Sequence, residues 1–162
     1  MVQERPIRVE CRLAAILAAD VAGYSRLMHH DEQATHTKLT ALLTDGIVPA
    51  ISEHGGRIVK STGDGFLAEF PSAVEVSSSC CAIPDPRQRA TADAEDRRIA
   101  FRVGINVGDV IVEPHDVFGD GVNIAARLET IAEPGGTVSP LLLMIKFGGR
   151  SALSPPILAS RT

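Results

Sequence analysis

The feature that most constrains the fold is a run of small and apolar residues that ends in an acid. Residues 13–19 read Leu-Ala-Ala-Ile-Leu-Ala-Ala, and Asp20 follows directly. The stretch from Cys11 to Val21 is typical of a central strand covered on both faces. A carboxylate at the end of such a strand is costly to desolvate unless a cation compensates its charge. Asp20 is therefore a candidate metal ligand.

A second acid, Asp64, lies between two glycines. The segments 57–61 and 66–70 on either side are short and β-like, so the sequence predicts a hairpin with Asp64 at its bend. Taken alone, Gly-Asp-Gly is typical of an ordinary turn. If the strand ending at Asp20 lies beside this turn, the two acids can bind a pair of Mg²⁺ ions against a polyphosphate, as phosphoryl and nucleotidyl transfer require.

Length and composition indicate one domain with a full core, because the chain has 162 residues and 44% of them are apolar. The 16 basic and 20 acidic residues give a net charge of -4, which disfavours a nucleic acid partner. Residues 1–6 lack a signal-peptide core and no segment is apolar enough to span a membrane, so a cytoplasmic location is expected. The three cysteines form neither a disulfide framework nor a zinc-binding spacing.

The remaining pattern alternates helices with pairs of strands. Apolar spacing predicts one long amphipathic helix, with an irregular start, from Ser25 to about His54, and only a poor helix after Ala73 because serines and prolines follow. Further on, the pattern predicts a second hairpin joined at Gly108 (99–107 and 109–113), a helix over 120–132 and a short strand over 137–139. This order predicts an α+β fold with helices on a mostly antiparallel sheet.

The helix predicted over 120–132 carries a polar pair, Asn123 and Arg127. Four positions apart, they share one face, distinct from an apolar stripe formed by Val122, Ile124, Ala125, Leu128 and Ile131. An amide and a guanidinium presented together can hold a ribose oxygen and a phosphate whose negative charge grows in a transition state. An ordinary polar helix face is the alternative explanation.

Four blocks of sequence, in order, resemble the catalytic domain of class III adenylate cyclases, especially the bacterial branch. They are Ala19–Ser25, Gly55–Phe70, Phe101–Asp109 and Asp116–Leu128, and the resemblance extends over about Leu13 to Ser139. It implies a ferredoxin-like core that resembles polymerase palm domains. It also divides the chain into a lead-in (1–10), a cyclase domain (11–139) and an atypical C-terminal segment (140–162).

The resemblance implies a role for each site residue. Asp20 and Asp64 match the metal-binding aspartates, with the Val21 carbonyl as a further ligand; Lys60 and Asp116 match the purine-recognising pair; Asn123 and Arg127 match the residues that orient ribose and stabilise the transition state. The implied reaction converts ATP to 3′,5′-cyclic AMP and pyrophosphate with two Mg²⁺ or Mn²⁺ ions. The implied assembly is a homodimer that builds two equivalent sites between its subunits, each with the metal-binding residues of one subunit and the purine-recognising and transition-state residues of the other.

Two segments depart from the family pattern. Residues 77–92 lack the usual helix, and the residues after Ser139 lack the usual ending with its phosphate-binding lysine, for which Lys146 is an unsupported substitute. A truncated or frame-shifted cyclase is one hypothesis for these departures. Two other functions stay open: a non-catalytic nucleotide-binding or dimerisation module, and a palm-like enzyme with another product, such as a diguanylate cyclase. The purine pair and the lack of a GGDEF-type sequence disfavour the last.

Overall fold

A long central strand organises the fold. The computed structural model describes residues 10–80, 83 and 98–140. Strand β1 (Glu10–Val21) pairs antiparallel with β3 (Gly65–Phe70) on one side and with β4 (Phe101–Val112) on the other. Both faces of β1 are buried from Ala14 to Ala19, whereas Leu13 is 64% exposed and Asp20 is half-buried. The predicted central strand is confirmed, and it ends one residue after Asp20.

The other strands extend this sheet on both sides. Strand β2 (Arg57–Thr62) pairs with β3, β5 (Val117–Phe118) pairs with β4, and β6 (Thr137–Val138) lies parallel to β4. The strand order is β2-β3-β1-β4-β5. The β2–β3 hairpin is confirmed with Asp64 at its bend, and the mixed fold with helices on a mainly antiparallel sheet is the predicted one.

Four helices, α1 to α4, pack their apolar side chains on one face of the sheet. They are α1 (Tyr24–His30), α2 (Glu32–Leu42), α3 (Val48–Glu53) and α4 (Ala73–Cys80), with a π-helical turn (Leu43–Ile47) between α2 and α3. Their buried residues join one core cluster with alternate residues of β1, including Leu17, Ala19 and Val21. The sequence predicts only a poor helix after Ala73, but the structure has a helix of eight residues there.

The predicted long helix is present but divided. Asp31 ends α1 in an extended conformation (φ −158°), and its carboxylate accepts a hydrogen bond from the Ala34 N–H at 2.9 Å, which caps α2. The π-helical turn precedes Pro49, which has no N–H to continue the regular helical ladder. A single uninterrupted helix is therefore wrong, and both interruptions have a local cause.

Helix α5 (Asp120–Ile131) covers the opposite face of the sheet, where it packs on β1 and β4. The second hairpin predicted at Gly108 is wrong, because β4 runs without a break through that residue and pairs it with Ala14. A Cβ on Gly108 would lie 3.4 Å from the Gly121 Cα of α5. This glycine therefore serves close helix-to-strand packing instead of a turn.

The apolar stripe predicted for α5 is only partly buried. Ala125 is fully buried and Val122 packs against the core, but Ile124 and Ile131 are 39% and 69% exposed. Helix α5 contacts the sheet through its small residues, so its buried stripe is narrower than the predicted one.

Several predictions concern residues outside the described ranges: the lead-in up to residue 9, most of the 77–92 departure, and the C-terminal segment after residue 140 with Lys146. Within the described part of the chain, none of the helices is long and apolar enough to span a bilayer.

Gly104 of β4 is the closest point between sheet and α5, because a Cβ there would overlap the Ala125 carbonyl oxygen and the Glu129 amide nitrogen. We expect Gly104→Ala to lower the free energy of unfolding by about 2 kcal/mol or more, since backbone must move to admit the methyl group. Urea denaturation measures this loss. Gly46→Ala is the matched control: nothing lies within 4 Å of its added Cβ, so that variant should be neutral or slightly more stable.

Candidate active site

The β2–β3 turn is fastened to the end of β1. The Val21 N–H donates to the Asp64 carbonyl at 2.9 Å, and Gly65 lies directly opposite Asp20 in the β1–β3 register. A Cβ on Gly65 would overlap the Ala19 carbonyl oxygen, so only glycine permits this close approach. The two predicted metal-binding residues, distant in sequence, thus lie side by side where β1 ends and β3 begins.

A cavity of about 530 Å³ opens here, between the strand ends and α5. Five of the six predicted site residues line it: Asp20, Lys60, Asp64, Asp116 and Asn123. Arg127 does not line the cavity, and its side chain is exposed on α5. One cavity of a single chain therefore brings the two aspartates together with three of the four residues that the resemblance places on the opposite subunit, and Arg127 is the exception.

The predicted purine pair is in contact across two elements. The Lys60 ammonium of β2 lies 3.4 Å from Asp116 Oδ2, in the segment before β5. The other carboxylate oxygen, Oδ1, accepts a hydrogen bond from the Val117 N–H at 2.8 Å, which fixes the orientation of the aspartate. The pair presents a cationic donor and an anionic acceptor next to each other at the cavity wall.

The charge of Asp20 is balanced by Arg102, a residue that the sequence interpretation missed. Arg102 of β4 is directly opposite Asp20 in the sheet register, and its guanidinium holds the carboxylate with two hydrogen bonds, Nε to Oδ1 at 2.9 Å and Nη2 to Oδ2. The neighbouring carboxylate raises the pKa of Arg102 despite partial burial. Only the cross-strand register reveals this partner, so no local pattern could have indicated it.

Glu129 was also missed, and it brings a fourth acid to the cavity wall, besides Asp20, Asp64 and Asp116. It projects from α5, and its Oε1 lies 3.6 Å from Arg102 Nη2 without a hydrogen bond. Burial, followed by the adjacent Asp20 carboxylate, raises the pKa of Glu129 to about 7. Two cations contact these four acids, Lys60 at Asp116 and Arg102 at Asp20 and Glu129, so the cavity wall has a surplus of negative charge.

This donor set suits a metal bound jointly by protein and polyphosphate. Asp20 and Asp64 supply hard carboxylate oxygens, and Mg²⁺ in nucleotide enzymes uses one or two protein carboxylates and completes its shell with phosphate oxygens and water. Among the described residues, no group of three or more acidic, histidine or cysteine side chains is arranged to hold a metal ion on its own. The two carboxylates fit the protein's share of such a metal site.

Comparison with known proteins agrees with this fold. Residues 10–139 match the family model of the adenylate and guanylate cyclase catalytic domain. The chain belongs to this family.

Relatives give the same assignment. The chain is 53% identical over 126 residues to a putative adenylate cyclase 3 of Rhizobium meliloti and 30% identical over 121 residues to an adenylate cyclase of Streptomyces coelicolor. These matches cover 77% and 75% of the chain but only 22% and 30% of those longer proteins. The chain therefore corresponds to a minor part of the relatives that it matches.

Solved structures share the fold. A crystal structure described as an adenylate/guanylate cyclase/hydrolase from Silicibacter pomeroyi superimposes with a TM-score of 0.77 at 41% identity, covering 91% of this chain and 86% of that one. The adenylyl cyclase CyaB from P. aeruginosa gives a TM-score of 0.70 at 19% identity, over 88% of this chain and 83% of that one, which supports the fold alone.

The raised pKa of Glu129 predicts a pH-dependent stability. Because the folded protein holds this proton more tightly than the unfolded chain, the carboxyl makes folding less favourable as pH rises from about 4.5 to about 7. Glu129→Gln removes the titration, so its stability relative to wild type should increase between pH 5 and pH 8. Urea midpoints in EDTA measure this difference, with exposed Glu53→Gln as the control. An equal difference at both pH values would contradict the prediction.

Proposed function

We propose that this chain is an adenylate cyclase domain that converts ATP to 3′,5′-cyclic AMP and pyrophosphate. The observation that carries the proposal is the convergence of the Lys60–Asp116 pair with Asp20 and Asp64 on one cavity. The relatives named adenylate cyclase support the same activity. A location of the protein in the cytoplasm, where ATP is available, agrees with this activity.

The purine pair supports ATP over GTP. Adenine offers a ring acceptor at N1 and an amino donor at N6, which complement a lysine ammonium and a carboxylate respectively. Guanine presents the reverse pattern on that edge, so the same two side chains would each face a group of the wrong kind. Lys60 and Asp116 hold each other at 3.4 Å, and the base would enter by exchanging that contact for its own hydrogen bonds.

In the proposed reaction, the ribose 3′-hydroxyl of ATP gives its proton to water and its oxygen bonds to the α-phosphorus of the same molecule. The bond between the α-phosphorus and the α,β-bridging oxygen breaks, and pyrophosphate leaves. Asp20, Asp64 and the Val21 carbonyl would hold two Mg²⁺ or Mn²⁺ ions, which acidify the 3′-hydroxyl and offset leaving-group charge. Asn123 would orient the ribose. Arg127 would meet the charge that develops on the α-phosphoryl oxygens.

The position of Arg127 supports a homodimer. Its exposed side chain lies outside the cavity lined by the two metal-binding aspartates of the same subunit. In a symmetric dimer the arginine of one subunit would complete the cavity of the other, giving two equivalent sites between the subunits.

A cyclase assay tests the reaction. Purified protein with Mg²⁺ or Mn²⁺ should form cyclic AMP from ATP and little cyclic GMP from GTP. Asp64→Ala should abolish detectable turnover because half of the proposed metal-binding carboxylates is lost. Asp45→Ala is the matched control, since Asp45 is an exposed acid that does not line the cavity. ATP binding without turnover in the wild type would instead favour a non-catalytic nucleotide-binding module.

A complementation assay tests the shared site. Asp64→Ala should be inactive, and Arg127→Ala should lower the cyclase rate by a factor on the order of 10² to 10³. When the two variants are mixed, half of the dimers are mixed dimers and each has one site with both residues intact. Activity should therefore return to about a quarter of the wild-type value. A mixture that stays inactive, in protein shown to exchange subunits, would contradict a site shared between subunits.

A further inference from the structure

A buried carboxylate lies between two arginines on the sheet face that carries the cavity. Glu69 of β3 has a side chain only 3% exposed, and it forms ion pairs with Arg12 of β1 and Arg57 of β2. The Arg57 Nε donates to Glu69 Oε2 at 3.0 Å. A buried carboxylate is tolerated when charged donors satisfy it, and two guanidinium groups do so here.

The two arginines differ in what else they hold. Arg57 Nη1 donates to the Pro114 carbonyl at 3.1 Å and Nη2 donates to the Glu113 carbonyl at 3.2 Å. Arg12 pairs with Glu69, and within the described residues no hydrogen bond or ion pair joins it to the segment 113–116. Of these two arginines, Arg57 alone therefore links the β2–β3 hairpin to the turn that follows β4.

That turn ends at Asp116. The Glu113 N–H donates to the Asp116 carbonyl at 2.9 Å and closes the turn, while the Asp116 side chain reaches Lys60. Lys60 lies three positions after Arg57 on β2. One guanidinium thus holds both the strand that carries the lysine and the turn that carries the aspartate.

We propose that Arg57, oriented by Glu69, is a positioning residue that sets the spacing of Lys60 and Asp116 and thereby the preference for adenine over guanine. The proposal rests on the proposed function, in which that pair recognises the purine. Adenine would hydrogen-bond to Lys60 and Asp116 at the same time, so its binding depends on their relative placement. A shift of β2 against the turn therefore weakens the binding of adenine more than that of guanine. Arg57 would act on specificity from outside the site, without touching the nucleotide.

Lysine is the discriminating replacement, because it keeps the positive charge beside Glu69 but lacks the rigid fork of donors that binds both carbonyls. Arg57→Lys and Arg12→Lys therefore form a matched pair: each leaves a cation on the same carboxylate, and only the first releases the turn.

The measurement is equilibrium binding of 3′-deoxy-ATP and 3′-deoxy-GTP, which lack the attacking hydroxyl, in the presence of Mg²⁺. Wild type should prefer 3′-deoxy-ATP. Arg57→Lys should reduce the ratio of the two affinities by about 5- to 10-fold, the scale of one impaired hydrogen bond, whereas Arg12→Lys should change it by less than about 2-fold. A ratio unchanged in Arg57→Lys, or reduced equally in Arg12→Lys, would overturn the inference.

A double-mutant cycle separates positioning from a general loss of structure. If Arg57 acts through Asp116, then adding Arg57→Lys to Asp116→Asn should leave the affinity ratio within about 2-fold of that of Asp116→Asn alone. Equal effects in both backgrounds would overturn the proposal. Wild-type protein that binds neither nucleotide would overturn the proposed function itself, and the inference with it.

A second readout does not depend on nucleotide binding. Exchange of the amide hydrogens of residues 113 and 115–117 should be faster in Arg57→Lys than in Arg12→Lys, because only the first loses the contacts that hold the turn. Equal exchange in the two variants would contradict the link between Arg57 and the turn, even if one variant is too unstable for binding assays.

Discussion

The contact on which the site depends is the direct approach of α5 to β4. Gly104 and Gly108 present no side chains, so the backbone of the helix lies against the strand. This approach places Asn123 and Glu129 at the cavity wall, over the ends of the strands that carry the acids. Any side chain at Gly104 would push the helix outward and widen the cavity. The packing of the core and the geometry of the site are therefore set by the same glycines.

Charge is distributed in this cavity so that it favours a cationic ligand. Four acids line it, and Lys60 pairs with one of them, Asp116. Of the other three, Asp20, Asp64 and Glu129, Arg102 contacts the first and the last. The Glu129 carboxyl responds by holding its proton up to a pKa of about 7. A divalent ion arriving with a polyphosphate would offset the same surplus that Arg102 and this proton offset here. The carboxylates are thus retained at a cost to stability, which is typical of functional sites.

Local sequence patterns predicted the elements better than their relations. The apolar run ending at Asp20 and the Gly-Asp-Gly turn are local signals, and both elements form as expected. Gly108 misled because a glycine that admits a helix looks the same in sequence as one that makes a turn. Arg102 was missed for a related reason: its role comes from lying opposite Asp20 in the register, a relation between residues far apart in the chain. The family resemblance, by contrast, located five residues that share one cavity.

The ion pairs of Glu69 and the hydrogen bonds of Arg57 join elements that are far apart in the sequence. A glutamate at a buried position of a strand contributes little to local secondary structure, and an apolar residue would fill the same position at lower desolvation cost. The Glu69 carboxylate orients the Arg57 guanidinium, so that two N–H groups of the arginine face the Glu113 and Pro114 carbonyls. The turn that bears Asp116 is thereby fixed to the strand that bears Lys60, and not only to the strand before it. A recognition pair assembled from two separate elements needs such a link, because each element would otherwise move with its own neighbours.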